Sequence, residues 1–140
     1  MPHETDDLRQ ALMDAPNLQA FLSDHEDSFS HESVRELLGR LLAKKRMSKA
    51  TLARRAGMSE IYLHQIFAGR RNPSRNRLIC LCIGLSASLE ETQFLLKQCG
   101  WAQLYAKNRR DAIILYGLAH GQTLQAINDA LFSEDEETLC

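Results

Sequence analysis

No apolar run in this chain approaches the roughly eighteen residues needed to cross a bilayer. No basic, secretory-type segment follows Met1 either, because residues 1–30 are acidic. Both observations set aside a membrane or exported protein, and the expected location is the cytoplasm. Cysteine is sparse and badly placed for a framework. Cys80 and Cys82 are two apart in a helical stretch and so point to different sides, Cys99 and Cys140 lie far away in sequence, and no histidine sits at ligand spacing. That excludes a metal or disulfide scaffold and predicts reduced thiols acting as small apolar side chains. A glycine-rich phosphate loop, a metal cluster and a nucleophile–base signature are all missing, and His3, His25, His31, His64 and His120 are scattered. The expectation is a protein that is not an enzyme and needs no cofactor.

What is present is an ordinary globular composition over 140 residues, enough for one domain with appendages and a real core. The net charge of -1 says nothing about partners, but its distribution does. Residues 1–30 hold seven acids and one Arg, whereas residues 31–77 hold twelve Lys or Arg and three acids. Residues 78–107 are balanced, and residues 108–140 return to acid, with six acids and two Arg. Positive charge is therefore concentrated on one segment, as phosphate binding requires.

Helical spacing runs through most of the chain, and no strand pattern interrupts it between Ser33 and Cys99. Residues 1–30 read as an acidic helical extension in which Leu8 and Leu12, then Leu18, Phe21 and Leu22, flank a break at Pro16. Ser33 and Glu36 form a capping box for a helix whose apolar stripe is Val34, Leu37, Leu38, Leu41 and Leu42. Ser48, Ser59 and Ser74 are positioned as further caps, and Ser88 with Glu91 makes a second box. Leu78, Ile79, Leu81, Cys82 and Leu85 predict a mostly buried helix, followed by one carrying Leu89, Phe94, Leu95 and Leu96 that stops at Gly100. Beyond it, Trp101, Leu104 and Tyr105 are expected to pack back on the bundle. Asn108 caps a helix with Ala112, Ile113, Tyr116 and Leu118, and a last helix offers Leu124, Ile127 and Leu131. The end, SEDEETLC, is expected to fray.

The most informative stretch is SKATLARRAGMSEIYLHQIFAGRRNP, residues 48–73. Leu52, Ala53 and Ala56 repeat at helical spacing up to Gly57, where a helix ends, and Ser59 opens another whose apolar side is Leu63, Ile66 and Phe67. Small residues at the join (Ala53, Ala56, Gly57) let two short helices cross closely at a steep angle. That is a helix-turn-helix, whose second helix enters a DNA major groove. With Leu63, Ile66 and Phe67 inward, Glu60, Ile61, His64 and Gln65 face outward. Gln65 suits adenine, Glu60 can accept from cytosine N4, and Ile61 can pack on a thymine methyl. Arg70, Arg71, Asn72, Arg75 and Arg77 on one side, with Lys44, Lys45 and Lys49 on the other, are the candidate phosphate ligands.

These residues resemble the phage repressor/Cro type of bacterial helix-turn-helix protein, the XRE family. The resemblance is close over LLAKKRMSKATLARRAGMSEIYLHQIFAGRRNPS and looser through the helix ending at Cys99. The whole chain is also similar to small bacterial regulators that join this domain to an acidic N-terminal extension and a C-terminal helical pair. The resemblance implies an all-α, five-helix repressor-like bundle over residues 31–100, with extensions at 1–30 and 101–140. It implies a double-stranded DNA partner and gives Ser59, Glu60, Ile61, His64 and Gln65 the positions that face bases. Lys49 takes the position at the start of the second helix that often holds Gln and touches the backbone. Glu60 and Ile61 depart from the polar, uncharged residues frequent there.

One such domain reads a short half-site, so a homodimer on a palindromic operator is expected. A repressor is the predicted sense of regulation, because occluding a promoter needs no activating surface. The competing reading is a protein-interaction module, antitoxin-like or adaptor, whose acidic extensions contact a protein partner.

Overall fold

The computed structural model describes residues 2–24 and 33–140, which form helices joined by short turns, with no strand among the described residues. They fall into two compact units, residues 1–31 and residues 32–140. Among the described residues no helix is long and apolar enough to cross a membrane.

In the first unit, α1 (Pro2–Asp14) and α2 (Leu18–Asp24) are separated at Pro16, as the sequence predicts. Asn17 Oδ1 accepts from the Ala20 N–H at 2.7 Å and so starts α2. Phe21 is buried, but Leu12, Leu18 and Leu22 are exposed. Two short helices have too few side chains to enclose every apolar residue they carry. The part of the predicted extension at residues 25–30 lies outside the described residues.

The second unit holds α3 (Val34–Lys44), α4 (Lys49–Arg55), α5 (Glu60–Phe67), α6 (Arg75–Gly84), α7 (Leu89–Gln98), α8 (Arg109–Ala119) and α9 (Leu124–Ser133). Each begins at a side-chain cap: Ser33, Ser48, Ser59, Ser74, Ser88, Asn108 and Thr123 each accept from the backbone N–H three residues on. A cap of this kind stabilises by about 1 kcal/mol, so the helix boundaries are set locally. At Ser88 the box is complete, with Glu91 Oε1 accepting from the Ser88 N–H at 2.8 Å.

Helix α6 is the centre of the unit. Every residue from Leu78 to Leu85 is buried, and α4, α7 and α9 all pack on it. Gly84 allows the closest of these approaches. A Cβ there would stand 3.0 Å from Leu52 Cδ1 and 3.1 Å from the Ala56 nitrogen, so any side chain would push α4 away. The five-helix arrangement of α3 to α7 is thus an all-α bundle around one buried helix.

The C-terminal pair lies on that bundle, α8 against α7 and α9 against α6, and Ile114, Ile127 and Leu131 are fully enclosed. Three expectations for this region are corrected. Leu104 packs inward, but Trp101 is 41% and Tyr105 is 60% exposed. Gln93 holds the backbone of Leu104 through two bonds of 2.8 Å, and this clamp fixes Leu104 inward while its neighbour Tyr105 faces out. The buried face of α8 is Ile114, Gly117 and Leu118, leaving Tyr116 outside, stacked on His120. The chain end does not fray. Leu139 is buried, its N–H donates to Asn128 Oδ1 at 2.8 Å, and Arg110 donates to the carbonyls of Glu137 and Thr138.

Candidate nucleic-acid interface

Helices α4 and α5 are linked by four residues, Ala56 to Ser59, and the geometry of that link is dictated locally. The Met58 N–H reaches back to the Ala53 carbonyl at 2.9 Å and the Gly57 N–H to that of Arg54 at 3.4 Å, closing α4 in a Schellman turn. Such a turn needs a left-handed residue, and Gly57 supplies it at φ +66 without a Cβ penalty. Ser59 then caps α5, its Oγ accepting from the Tyr62 N–H at 3.1 Å. The far end of α5 closes in the same way, through Gly69 at φ +76 and a 2.9 Å bond from the Arg70 N–H to the Gln65 carbonyl.

These boundaries settle which face of α5 looks out. Leu63 and Ile66 are buried and Phe67 is half-buried, as the apolar spacing predicts. Ser59, Glu60, Ile61 and His64 are exposed, and Gln65 is half-buried beside them. Ile61 is 73% exposed, an isoleucine left in water on a helix whose other aliphatic side chains are enclosed. The five residues assigned to base contacts therefore share one open rim.

Beyond the rim, Arg70, Arg71 and Asn72 are exposed, while Pro73 is buried and anchors the loop. Arg71 Nε donates to Gln65 Oε1 at 2.7 Å, and its guanidinium lies 5.4 Å from the Tyr62 ring centre. Arg77 approaches the same ring at 5.3 Å. Tyr62 is thus a half-buried platform between two cations, worth about 0.5–1 kcal/mol for each at an exposed site. Tyr62 also packs against the core, and Arg77 reaches its ring only through the fold.

On the other flank Lys49 is exposed and sits 5.1 Å over the Phe67 ring. Lys44 and Lys45 both pair with Glu91, at 2.9 and 3.0 Å, so each has a carboxylate partner in this structure. The two lysines and the Ser88 N–H hold the Glu91 carboxyl down at about 2, the Lys44 hydrogen bond contributing most.

Arg75 departs from the expectation of a phosphate ligand. Its guanidinium donates to the carbonyl of Ala102 at 2.8 Å and to that of Gln103 at 3.3 Å, and it pairs with Asp111 at 3.3 Å. Asp111 is itself buried, where an unpaired carboxylate would be costly, so Arg75 is drawn to the C-terminal segment. Arg35 is a contributor that the sequence did not suggest. Its Nη1 lies 3.5 Å from the Ala68 carbonyl, bringing positive charge to the negative end of α5.

Residues 33–95 match the family described as helix-turn-helix domain, which falls in the XRE-like group. No curated protein and no solved structure gives a match. A helix-turn-helix domain suggests a DNA-binding regulator, in a family that is typically non-enzymatic. The segment from Ser33 to Leu95, with its capped α4 and α5 and the open rim of α5, is similar to a helix-turn-helix domain.

Proposed function

We propose that this chain is a sequence-specific transcriptional regulator, a repressor in sense, that reads a DNA major groove with α5. One observation carries the reading: Ile61, exposed on a capped helix and flanked by Glu60, His64 and Gln65, with Arg70 and Arg71 at the adjoining loop. An aliphatic side chain left in water beside polar neighbours suits the mixed surface of base edges and thymine methyls. Ser59, Glu60, Ile61, His64 and Gln65 are the base-contacting set. Lys44, Lys45, Lys49, Arg70, Arg71, Asn72 and Arg77 are the phosphate set. Arg75 is left out because its donors are engaged by Ala102, Gln103 and Asp111.

Residues 31–100 act as the DNA-binding part, with residues 1–30 and 101–140 as extensions, and the cytoplasm is its compartment. Two copies bind a palindromic operator as a homodimer, since one such domain covers only a half-site. Selection from a random duplex pool, followed by mobility shifts over a salt series, tests the whole reading. An enriched palindrome with steep salt dependence is expected. No enrichment at low salt, or binding unchanged when Arg70 and Arg71 are both made Ala, overturns it.

A further inference from the structure

Helix α6 presents Asn76, Cys80 and Gly84 at intervals of four, in one row on one face. Gly84, at one end of the row, packs on Ala56 beside the turn of the helix-turn-helix. Asn76, at the other end, accepts from Arg110 Nη2 at 3.2 Å, and that same nitrogen donates to the Thr138 carbonyl at 3.2 Å. The C-terminal tail therefore passes alongside this row. Cys140, in that tail, lies close enough to Cys80 to push its thiol upward. Cys140 Sγ also accepts from Asn128 Nδ2 at 3.3 Å and lies 3.8 Å from where a Cβ on Gly57 would stand. Asn128 holds the tail a second time through the Leu139 N–H. Cys140, an exposed residue, thus has its thiol near the fully buried Cys80, and neither is in a disulfide.

We propose that Cys80 and Cys140 are a redox pair that closes into an intramolecular disulfide when the protein meets a peroxide, fastening the C-terminal tail to α6 beside the α4–α5 turn. The exposed Cys140 sulfur attacks one oxygen of the peroxide, the O–O bond breaks, and the thiol becomes a sulfenic acid as one water (or alcohol) leaves. The Cys80 sulfur then attacks the Cys140 sulfur. The S–O bond breaks, and the hydroxyl departs as water with the proton that Cys80 carried. Two thiols have given up two electrons, and the peroxide has taken them.

Burial, and then the neighbouring Cys140, push the Cys80 thiol up to about 12, so Cys140 is the sulfur that meets the oxidant and Cys80 is the one that resolves. The other two cysteines are arranged differently. Cys82 is fully buried, and Cys99 is only half-buried at the end of α7. The pairing holds whether or not the chain binds DNA.

Full-length protein is reduced, exposed to stoichiometric hydrogen peroxide, and examined by intact mass, non-reducing peptide mapping and thermal melting. The expected product is monomeric and lighter by two hydrogens, about 2 Da, with one peptide joining Cys80 to Cys140. Closing a loop of about sixty residues raises the melting temperature by about 10 °C, and dithiothreitol reverses the rise. Cys140→Ser, a nearly isosteric change, loses both the mass change and the melting shift while keeping its helical circular dichroism. A bridge through Cys82 or Cys99 overturns the proposal. So do two chains joined at Cys140, over-oxidation of Cys140 with Cys80 still reduced, or a melting shift that survives in Cys140→Ser.

Discussion

Arg71 Nε donates to Gln65 Oε1 at 2.7 Å, so a loop cation holds a residue of the open rim of α5 in place. The bond occupies one lone pair of the amide oxygen and leaves the second, together with the NH2 donors, for an adenine edge. Arg71→Ala removes a phosphate charge and frees the amide. The salt slope of binding should fall by about one and discrimination at one base pair should weaken together. Arg71→Lys keeps the charge but lacks the planar fork, so the slope is retained while discrimination drops. Gln65→Ala should cost about 1–3 kcal/mol at its preferred base and little elsewhere. Mobility shifts on matched and mismatched operators read all three, and a Gln65→Ala protein with undiminished preference defeats the assignment.

Arg75 separates structural cations from phosphate ligands. Its three acceptors, Ala102, Gln103 and Asp111, all belong to the C-terminal segment, and Asp111 is buried. Arg75→Ala should destabilise the fold by about 1–3 kcal/mol, as expected when a buried acceptor loses a charged donor. Its salt slope should match that of the unaltered protein. Urea titration and mobility shifts measure the two quantities separately.

Gly117 sits where α9 presses hardest on α8. A Cβ at this position would meet Ile127 Cγ1 at 2.4 Å, and Ile127 is fully enclosed. Helix propensity favours Ala over Gly by about 1 kcal/mol, whereas overpacking a filled core costs about 1–3 kcal/mol. The clash should win, and Gly117→Ala should lower the urea midpoint. Gly39→Ala, in α3 with open space around it, should raise the midpoint instead.

Glu91 makes the fold acid-sensitive in a defined window. Its carboxyl is lowered from 4.5 to about 2, first by the Lys44 hydrogen bond and then by the Ser88 N–H. A carboxyl depressed in the folded state adds stability that is full above its unfolded value and is lost as pH falls toward the folded one. Stability should therefore decline between about pH 4.5 and pH 2 as Glu91 is protonated. Glu91→Gln should be less stable near neutrality and flatter across that window. Urea midpoints measured as a function of pH would show this, and a profile identical to that of the unaltered chain would count against it.

Much of the fold was legible because its signals are local. The caps at Ser48, Ser59, Ser74, Ser88 and Asn108 act within one turn, and Gly57 and Gly69 end α4 and α5 by their own backbone freedom. The outward rim of α5 follows from its inward Leu63 and Ile66 by helical geometry alone. The misjudged residues are those whose partners lie far along the chain. Tyr116 reads as apolar at helical spacing, yet α8 is rotated so that Gly117 and Ile114 meet its neighbours. The acidic tail reads as loose, and only Asn128 and Arg110 reveal that it is tied down.

The amino-acid order by itself determined where helices start and stop, which side of each is apolar, and where positive charge collects, because these depend on neighbours within a turn or on a simple count. Tertiary structure alone decided which cation is withdrawn from the surface, with Arg75 drawn to Asp111, and which cysteines come close, with Cys140 near Cys80. Those outcomes hang on loops closing between distant positions and on helices settling at one rotation. Neither leaves a trace in local spacing.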